Sequence, residues 1–455
     1  MDSLTQQLVE LAHDTRYHTL GTETVHECKR RLIDTIACAM GSFDHPLSVS
    51  MRELASHYHG TPGAGIWGTT SRTTPEMAAF VNGVMLRVGE NSDTYIGKGG
   101  GGHPSDMISG MVAAADACGA NGRALVEAVV IGYDVYCRLM DASNLGEKGF
   151  DQVVHVVLGT VLGVGKLFGL TAVQMHHAVA LAIAPNMALR QTRHGQLSHW
   201  KGCAGANAVR NAIFAAALAK RGVEGPASIF DGKQGLCSVT GNFAWPALEE
   251  FRSHRMITRT SIKPLPVCYH TQSAALAALE LHTKLNLGEV DDIHVETYKT
   301  AVDMAAGDAG QWTPRTPESA DHSLPFVVAT ALERGRVEPN CFHADELCHP
   351  GVLRLMAKVR VTEDQALSRL WPESAAARVT VRGASGREVS SEVLYPKGHI
   401  RNPMSDAEIS AKFVALFGPR SGAGACDRAL KALWEIDESD DLNTDLLVPL
   451  SLQAV

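Results

Sequence analysis

Residues 90–106, ENSDTYIGKGGGGHPSD, hold four side chains suited to proton chemistry. Glu90 and Asp93 supply carboxylates and Thr94 a hydroxyl. His103 adds an imidazole that ordinarily titrates close to neutrality. Four glycines stand directly before the histidine. A phosphate cradle of the G-x-x-x-x-G-K-[ST] kind needs its lysine after the glycines and a strand before them. Here Lys98 comes first, and the upstream segment EMAAFVNGVMLRVGE has a helical pattern. The stretch is then open to a second reading, a loop that delivers His103 and its acidic neighbours to a substrate. The plainer reading makes His103 a cap for a helix starting near Pro104, since proline favours a first helical turn. A helix N-terminus at that point favours an anion nearby.

A second constellation is TRHGQLSHWKGCAGANAVRN, residues 192–211. Its Trp200 and small residues point to burial, although a solvated basic face is the ordinary explanation for such a run. A buried Lys201 would then be paired to a carboxylate or be waiting for an anionic ligand. Arg193 lies just ahead of it. A third segment, TRTSIKPLPVCYHTQSAA, carries Lys263, Tyr269 and His270 around a Pro-x-Pro hinge; a plain interdomain linker is the alternative. The spacing of Cys341, His343, Cys348 and His349 matches no common structural zinc site, so no metal is expected. No G-x-S-x-G elbow points to a serine hydrolase.

The elements that must position these groups change character along the chain. Residues 24–40 suggest a helix opened by a Thr24/Glu27 capping box. Ala-rich helical segments follow at 77–88, 107–118, 123–143, 153–168, 172–188 and 204–221, with Gly159, Gly163 and Gly169 implying close helix–helix approach. After about residue 265, period-two alternation marks strands at 293–298, 358–363 and 377–383. GASG then turns the last of these into a hairpin, and helices at about 271–285 and 319–334 intervene. A helical pattern returns from Ser405. The expected fold is mainly α: a large all-helical domain over 1–265 completed by 400–455, with 266–399 as a smaller α+β lid.

A chain of 455 residues suits two domains. Its net charge of −8 argues against a nucleic-acid partner. Neither a signal peptide nor a membrane span is expected, because the N-terminus lacks an apolar core and the most apolar run is broken by His155 and Lys166. Ten cysteines without a C-x-x-C pair suit a reducing cytoplasm and imply no iron–sulfur cluster.

Several ordered motifs together resemble the MmgE/PrpD family, which includes 2-methylcitrate dehydratases, cis-aconitate decarboxylases and an iminodisuccinate epimerase. They are RLIDTIACAMG, AAFVNGVMLRVGENSDT, HPSD, LRQTRHGQLSHWKGCAGANAVRN, IKPLPVCYHTQSA, PRTPESADHSLP and YPKGHIRNPMS. The resemblance implies a helical domain with an α+β lid, a homodimer, no cofactor, and a small di- or tricarboxylate substrate. It places the active site on Glu90, Asp93, Thr94, His103, Lys201 and Lys263. Two departures stand out. Glu90 replaces an aspartate of the animal decarboxylases and is followed by a longer loop, and Asp151 stands where those enzymes carry a histidine.

The chemistry so implied is a hydro-lyase reaction: a proton leaves the carbon alpha to a carboxylate and a hydroxyl is expelled. Negative charge then spreads onto that carboxylate, so cations should surround it. His103, Lys201 and Asp93 are the candidate catalytic groups. Glu90, Thr94, Arg193, Lys263 and Tyr269 are the candidate substrate-binding ones. Epimerase or decarboxylase chemistry and a silent carboxylate-binding role stay open.

Overall fold

The computed structural model describes residues 2–98, 100–143, 145–195, 197–243, 245, 254–284 and 290–452. It divides into two compact units. The first comprises Met1–Arg193, His199–Ile262 and Ser405–Val455; the second comprises His194–Ser198 and Lys263–Met404.

The first unit is built from helices α1 (Ser3–Asp14), α2 (Thr22–Gly41), α3 (Pro46–Ala55), α4 (Pro75–Arg87), α5 (Ile108–Cys118), α6 (Gly122–Ala142), α7 (Val153–Leu167), α8 (Ala172–Ile183) and α9 (Trp200–Lys220). Between α3 and α4 lies a short pair, β1 (Ala64–Gly65) and β2 (Arg72–Thr73). Helix α7 packs on α6, α8 and α9, and α4 packs along α9. The small residues explain how closely they approach. A Cβ at Gly159 of α7 would fall 2.8 Å from the Gly132 carbonyl of α6, so only glycine admits that crossing. Gly169 differs from its neighbours in the motif: it follows α7 with φ +65° and turns the chain.

The C-terminal helix Asp406–Ser421 opens with a capping box between Ser405 and Glu408 and packs on α2. Its Lys412 Nζ lies 2.6 Å from Asp34 Oδ1 and donates to the Asn91 carbonyl at 2.8 Å.

Two local expectations fail here. The Thr24/Glu27 capping box does not form, because α2 starts at Thr22 with Gly21 as its cap. Glu27 instead reaches forward along the helix to Arg30 at 3.2 Å and Arg31 at 2.6 Å. Helix α9 begins at Trp200 rather than 204, so Lys201 sits inside its first turn. A cation there opposes the helix dipole and needs a nearby anion.

The second unit holds a four-stranded sheet in the order β6-β5-β7-β8, with β5 Val290–Thr297, β6 Val359–Glu363, β7 Ala377–Gly383 and β8 Glu388–Val393. Strand β5 pairs parallel with β6 and antiparallel with β7, and β7 pairs antiparallel with β8. Helices Gln272–His282 and Leu324–Arg334 pack together, the former also against β7 and β8. Val379 and Val381 on β7 and Ile293 and Val295 on β5 fill the core with Phe326. This is the period-two pattern of the sequence turned inward. The architecture is mainly α, with a smaller α+β portion.

Candidate active site

Helix α4 ends at Arg87, and the chain then turns sharply through Gly89 and Glu90. Among described residues other than glycine, Glu90 alone has positive φ, at 44°. Such a backbone is unfavourable for a side-chain-bearing residue and persists only where surrounding contacts impose it. Those contacts are present. Lys201 Nζ, from the first turn of α9, donates to Glu90 Oε2 at 3.0 Å. Arg87 Nη2 lies 3.5 Å from the same oxygen. The other oxygen, Oε1, lies 3.8 Å from His103 Nε2. Glu90 thus shares one oxygen between two cations and presents the other to the imidazole.

The segment after Glu90 is held from every side. Ser92 Oγ accepts from Arg87 at 2.7 Å, and the Asn91 carbonyl accepts from Cys38 and Lys412. Asp93 is fully buried and accepts from Ser105 N–H at 3.0 Å and the Tyr133 hydroxyl at 2.8 Å. Burial raises its carboxyl above the usual range, opposed by these hydrogen bonds and by the Arg31 charge. Thr94 exchanges backbone hydrogen bonds with Ser261 at 2.7 and 2.8 Å.

The glycine run is not slack. It forms a hairpin in which β3 (Tyr95–Gly97) pairs with β4 (Gly100–Gly102) in the register Tyr95↔Gly102, Ile96↔Gly101 and Gly97↔Gly100. A Cβ at Gly102 would fall 2.0 Å from the Tyr136 hydroxyl, so the strand lies against α6 where no side chain fits. The hairpin returns the chain so that His103 faces the residues it left at 93 and 94. The imidazole makes no cap bond to the short turn Pro104–Met107. Its Nδ1 lies 2.7 Å from the Asp93 carbonyl oxygen and 3.3 Å from Thr94 Oγ1. A carbonyl only accepts, so Nδ1 carries the proton and the neutral ring's lone pair lies on Nε2. That nitrogen is the one turned toward Glu90. The side chain keeps 16% of its surface exposed.

Behind Arg87 lies Asp106, the last residue of the HPSD motif, with Oδ1 3.0 Å from Arg87 Nε. Gln152 Nε2 donates to Asp106 Oδ2 at 3.4 Å, and the Tyr136 hydroxyl donates to the Gln152 amide oxygen. Burial pushes the Asp106 carboxyl up to about 6, with Arg87 and Arg193 opposing the rise. Gly205 of α9 permits its approach, since a Cβ there would meet Asp106 Oδ2 at 2.5 Å.

The structure therefore brings together Glu90, Asp93, Thr94, His103 and Lys201. Asp93 enters through its backbone carbonyl toward His103, while its carboxylate is committed to Ser105 and Tyr133. Arg193 is gripped by the buried Asp151 at 2.9 Å, which weakens its case as a carboxylate-binding group. Lys263 and Tyr269 belong to the second unit. There Lys263 is almost fully buried and donates to the Val267 carbonyl at 3.1 Å; Tyr269 is buried with its ring against His270. Sequence reasoning missed Arg87, Asp106 and Gln152. The first two had a signal, each lying three residues from a residue singled out, Glu90 and His103. His349, considered for zinc, accepts from Val352 N–H as a helix cap. No helix among the described residues is long and apolar enough to cross a membrane.

The MmgE/PrpD N-terminal domain matches residues 6–245 of this chain, and the MmgE/PrpD C-terminal domain matches residues 265–436. The chain belongs to the MmgE/PrpD family. It is 28% identical over 433 residues to the 2-methylcitrate dehydratase of Cupriavidus necator, covering 87% of this chain and 86% of that one. An alkylcitrate dehydratase from a fungus is 25% identical over 447 residues, 90% of this chain and 86% of its own. Human cis-aconitate decarboxylase is 23% identical over 470 residues, covering 97% of this chain and 93% of that protein.

Proposed function

We propose that this protein is a cofactor-independent hydro-lyase that removes water from a small tricarboxylate of the 2-methylcitrate type. The observation that carries the reading is the His103 ring, with its Nδ1 proton committed to the Asp93 carbonyl and its Nε2 lone pair turned toward a carboxylate between two cations. That arrangement suits a general base, whose rate contribution is typically about 10²–10⁴-fold. Nε2 takes the proton alpha to a substrate carboxylate, and the imidazolium so formed is stabilised by Glu90. Lys201 supplies positive charge where the carbanion-like charge spreads onto the carboxylate. The hydroxyl leaves with a proton returned from the imidazolium, so one C–H and one C–O bond break, a C=C bond forms and water departs. Glu90, a carboxylate, would repel an anionic substrate. Its work in this scheme is to hold Lys201 and face His103.

The names of the relatives support dehydration more than decarboxylation, and Asp151 is engaged with Arg193 rather than placed for proton delivery. Cytoplasmic location and a homodimer remain part of the proposal. Incubation with 2-methylcitrate, cis-aconitate and iminodisuccinate in deuterated water, followed by NMR, tests the reaction. Loss of water from 2-methylcitrate is expected. Deuterium exchange without elimination would replace the reading with an epimerase, carbon dioxide release from cis-aconitate with a decarboxylase, and no change in any substrate with a carboxylate-binding role.

A further inference from the structure

Asp106 has no part in the scheme above, and Arg87 enters it only as one of the two cations on Glu90, yet the two form the most enclosed ion pair beside it. Each side chain is at most 2% exposed, and their separation is 3.0 Å. Arg87 spends its guanidinium on three partners at once: Asp106 through Nε, Ser92 through Nη1 at 2.7 Å, and Glu90 through Nη2 at 3.5 Å. The delocalised guanidinium thus places one positive charge between two carboxylates, 3.0 Å from Asp106 and 3.5 Å from Glu90. Glu90 is in turn the group that His103 Nε2 faces at 3.8 Å. A continuous line of charges therefore runs Asp106–Arg87–Glu90–His103.

We infer that Arg87 and Asp106 are a positioning pair that acts through Glu90 to set the protonation of His103. The inference rests on the reading of His103 as the proton carrier. Glu90 alone would bind the imidazolium tightly and make His103 a poor proton donor. Arg87 weakens that hold by competing for Glu90, and Asp106 moderates Arg87. The balance matters because burial leaves little solvent to screen these charges. Other charged and titratable groups near the ring among the described residues have partners of their own, and Arg31 adds positive charge beside Asp93. Lys201 on α9 is bound to Glu90, Asp93 is bonded to Ser105 and Tyr133, and Asp151 holds Arg193. Tyr136 on α6 donates to Gln152, which donates to Asp106. Burial, and to a smaller extent the Asp93 charge, push the Asp106 carboxyl upward against Arg87 and Arg193, so its charge is itself sensitive to what surrounds Arg87.

The pair makes predictions of opposite sign. Asp106→Asn keeps the shape, removes a negative charge and leaves Arg87 stronger against Glu90, so the His103 pKa should fall by about 0.5–1 unit. Arg87→Gln/Asp106→Asn removes the nearer positive charge as well, and the value should rise above that of the wild type. The probe is the Cε1–H NMR signal of His103 in the full chain, titrated with pH and assigned by its loss in His103→Asn. This signal reports the ring and not turnover, so it stands apart from whether 2-methylcitrate is the substrate. A fall in the single variant and a rise in the double support the inference. Coincident titrations in wild type and both variants overturn it. Should Asp106→Asn fail to fold, the double variant, which leaves no unpaired charge in the pair, decides alone: a raised value supports the inference and an unchanged one overturns it.

Discussion

The interiors of the two units differ in kind. In the first, Arg87, Glu90, Asp93, Asp106, Asp134, Asp151 and Lys201 are all buried. In the second, the core between the sheet and its helices is aliphatic and aromatic, and the buried lysine and aspartate side chains among the described residues are Lys263 and Asp321. An apolar core stabilises without conditions. Buried ions must recover a large desolvation cost through geometry, and well-packed apolar replacements are often as stable. A charged interior is thus poorly explained as scaffolding, and a chain that keeps one is using it.

The strongest test of that contrast is His103→Asn. If the charged interior serves proton transfer, turnover should fall by about 10²–10⁴-fold, while stability changes by no more than about 1 kcal/mol, the value of one hydrogen bond. Steady-state kinetics beside a thermal melt would check this. A variant with intact kinetics and a lowered melting temperature would make the cluster structural after all.

Lys201 separates the two roles within a single residue. Because it pairs with buried Glu90, Lys201→Met should cost stability as well as turnover, about 1–3 kcal/mol, with Arg87 still compensating the carboxylate. Lys201→Met/Glu90→Gln removes the unpaired charge and should recover most of the stability but none of the rate. Recovery of both would leave Lys201 as a structural counter-ion only.

The glycines offer a smaller effect. Gly102→Ala would push a methyl against Tyr136 and Gln152, an overpacking that costs about 1–3 kcal/mol, and should also lower turnover through Asp106 behind them. Gly101→Ala meets the flexible Ile96 Cδ1 at 2.7 Å and the Tyr95 carbonyl oxygen at an ordinary 3.7 Å, and should change stability by less than about 0.5 kcal/mol. Equal effects from the two would mean that the hairpin register is not what places His103.

These residues also show what the sequence could and could not reveal. Apolar periodicity located α4, α6 and α7 to within a few residues, and alternation located β5, β7 and β8, because both patterns reflect burial. The hairpin of β3 and β4 escaped because glycine carries no side chain to alternate. The start of α9 was misjudged for a related reason: Gly202 and Gly205 weaken a helical pattern, yet here they make room for neighbours such as Asp106. Acid, imidazole and lysine were visible as types, but their partners were not. That Glu90 lies beside Lys201, 111 residues later, is a matter of tertiary packing between α4 and α9.

The final consequence of the contrast is in pH dependence. Burial pushes His155 in the first unit down to about 4, and pushes His270 and His399 in the second down to about 4 as well. Each is held neutral when folded but binds a proton below about 6.5 when unfolded. Their contribution to stability is present above that value and is lost as pH falls toward 4, at about 1.4 kcal/mol per pH unit for each group. The first unit carries an opposing set. Asp106, raised to about 6, and Asp93 and Asp134, raised by burial, bind protons more readily when folded. Their contribution is greatest at low pH and is lost as pH rises through the folded value, so acidification from 6.5 to 4.5 returns stability there. These three carboxylates all lie in the first unit, and the second unit should therefore be the more acid-labile of the two. Hydrogen exchange of peptides from 263–404, compared with those from α6 and α7 at pH 6.5 and 4.5, measures the difference after correction for intrinsic rates. Protection lost first from α6 and α7 would show that their buried carboxylates do not offset His155, and that the charged interior is the weaker of the two in acid.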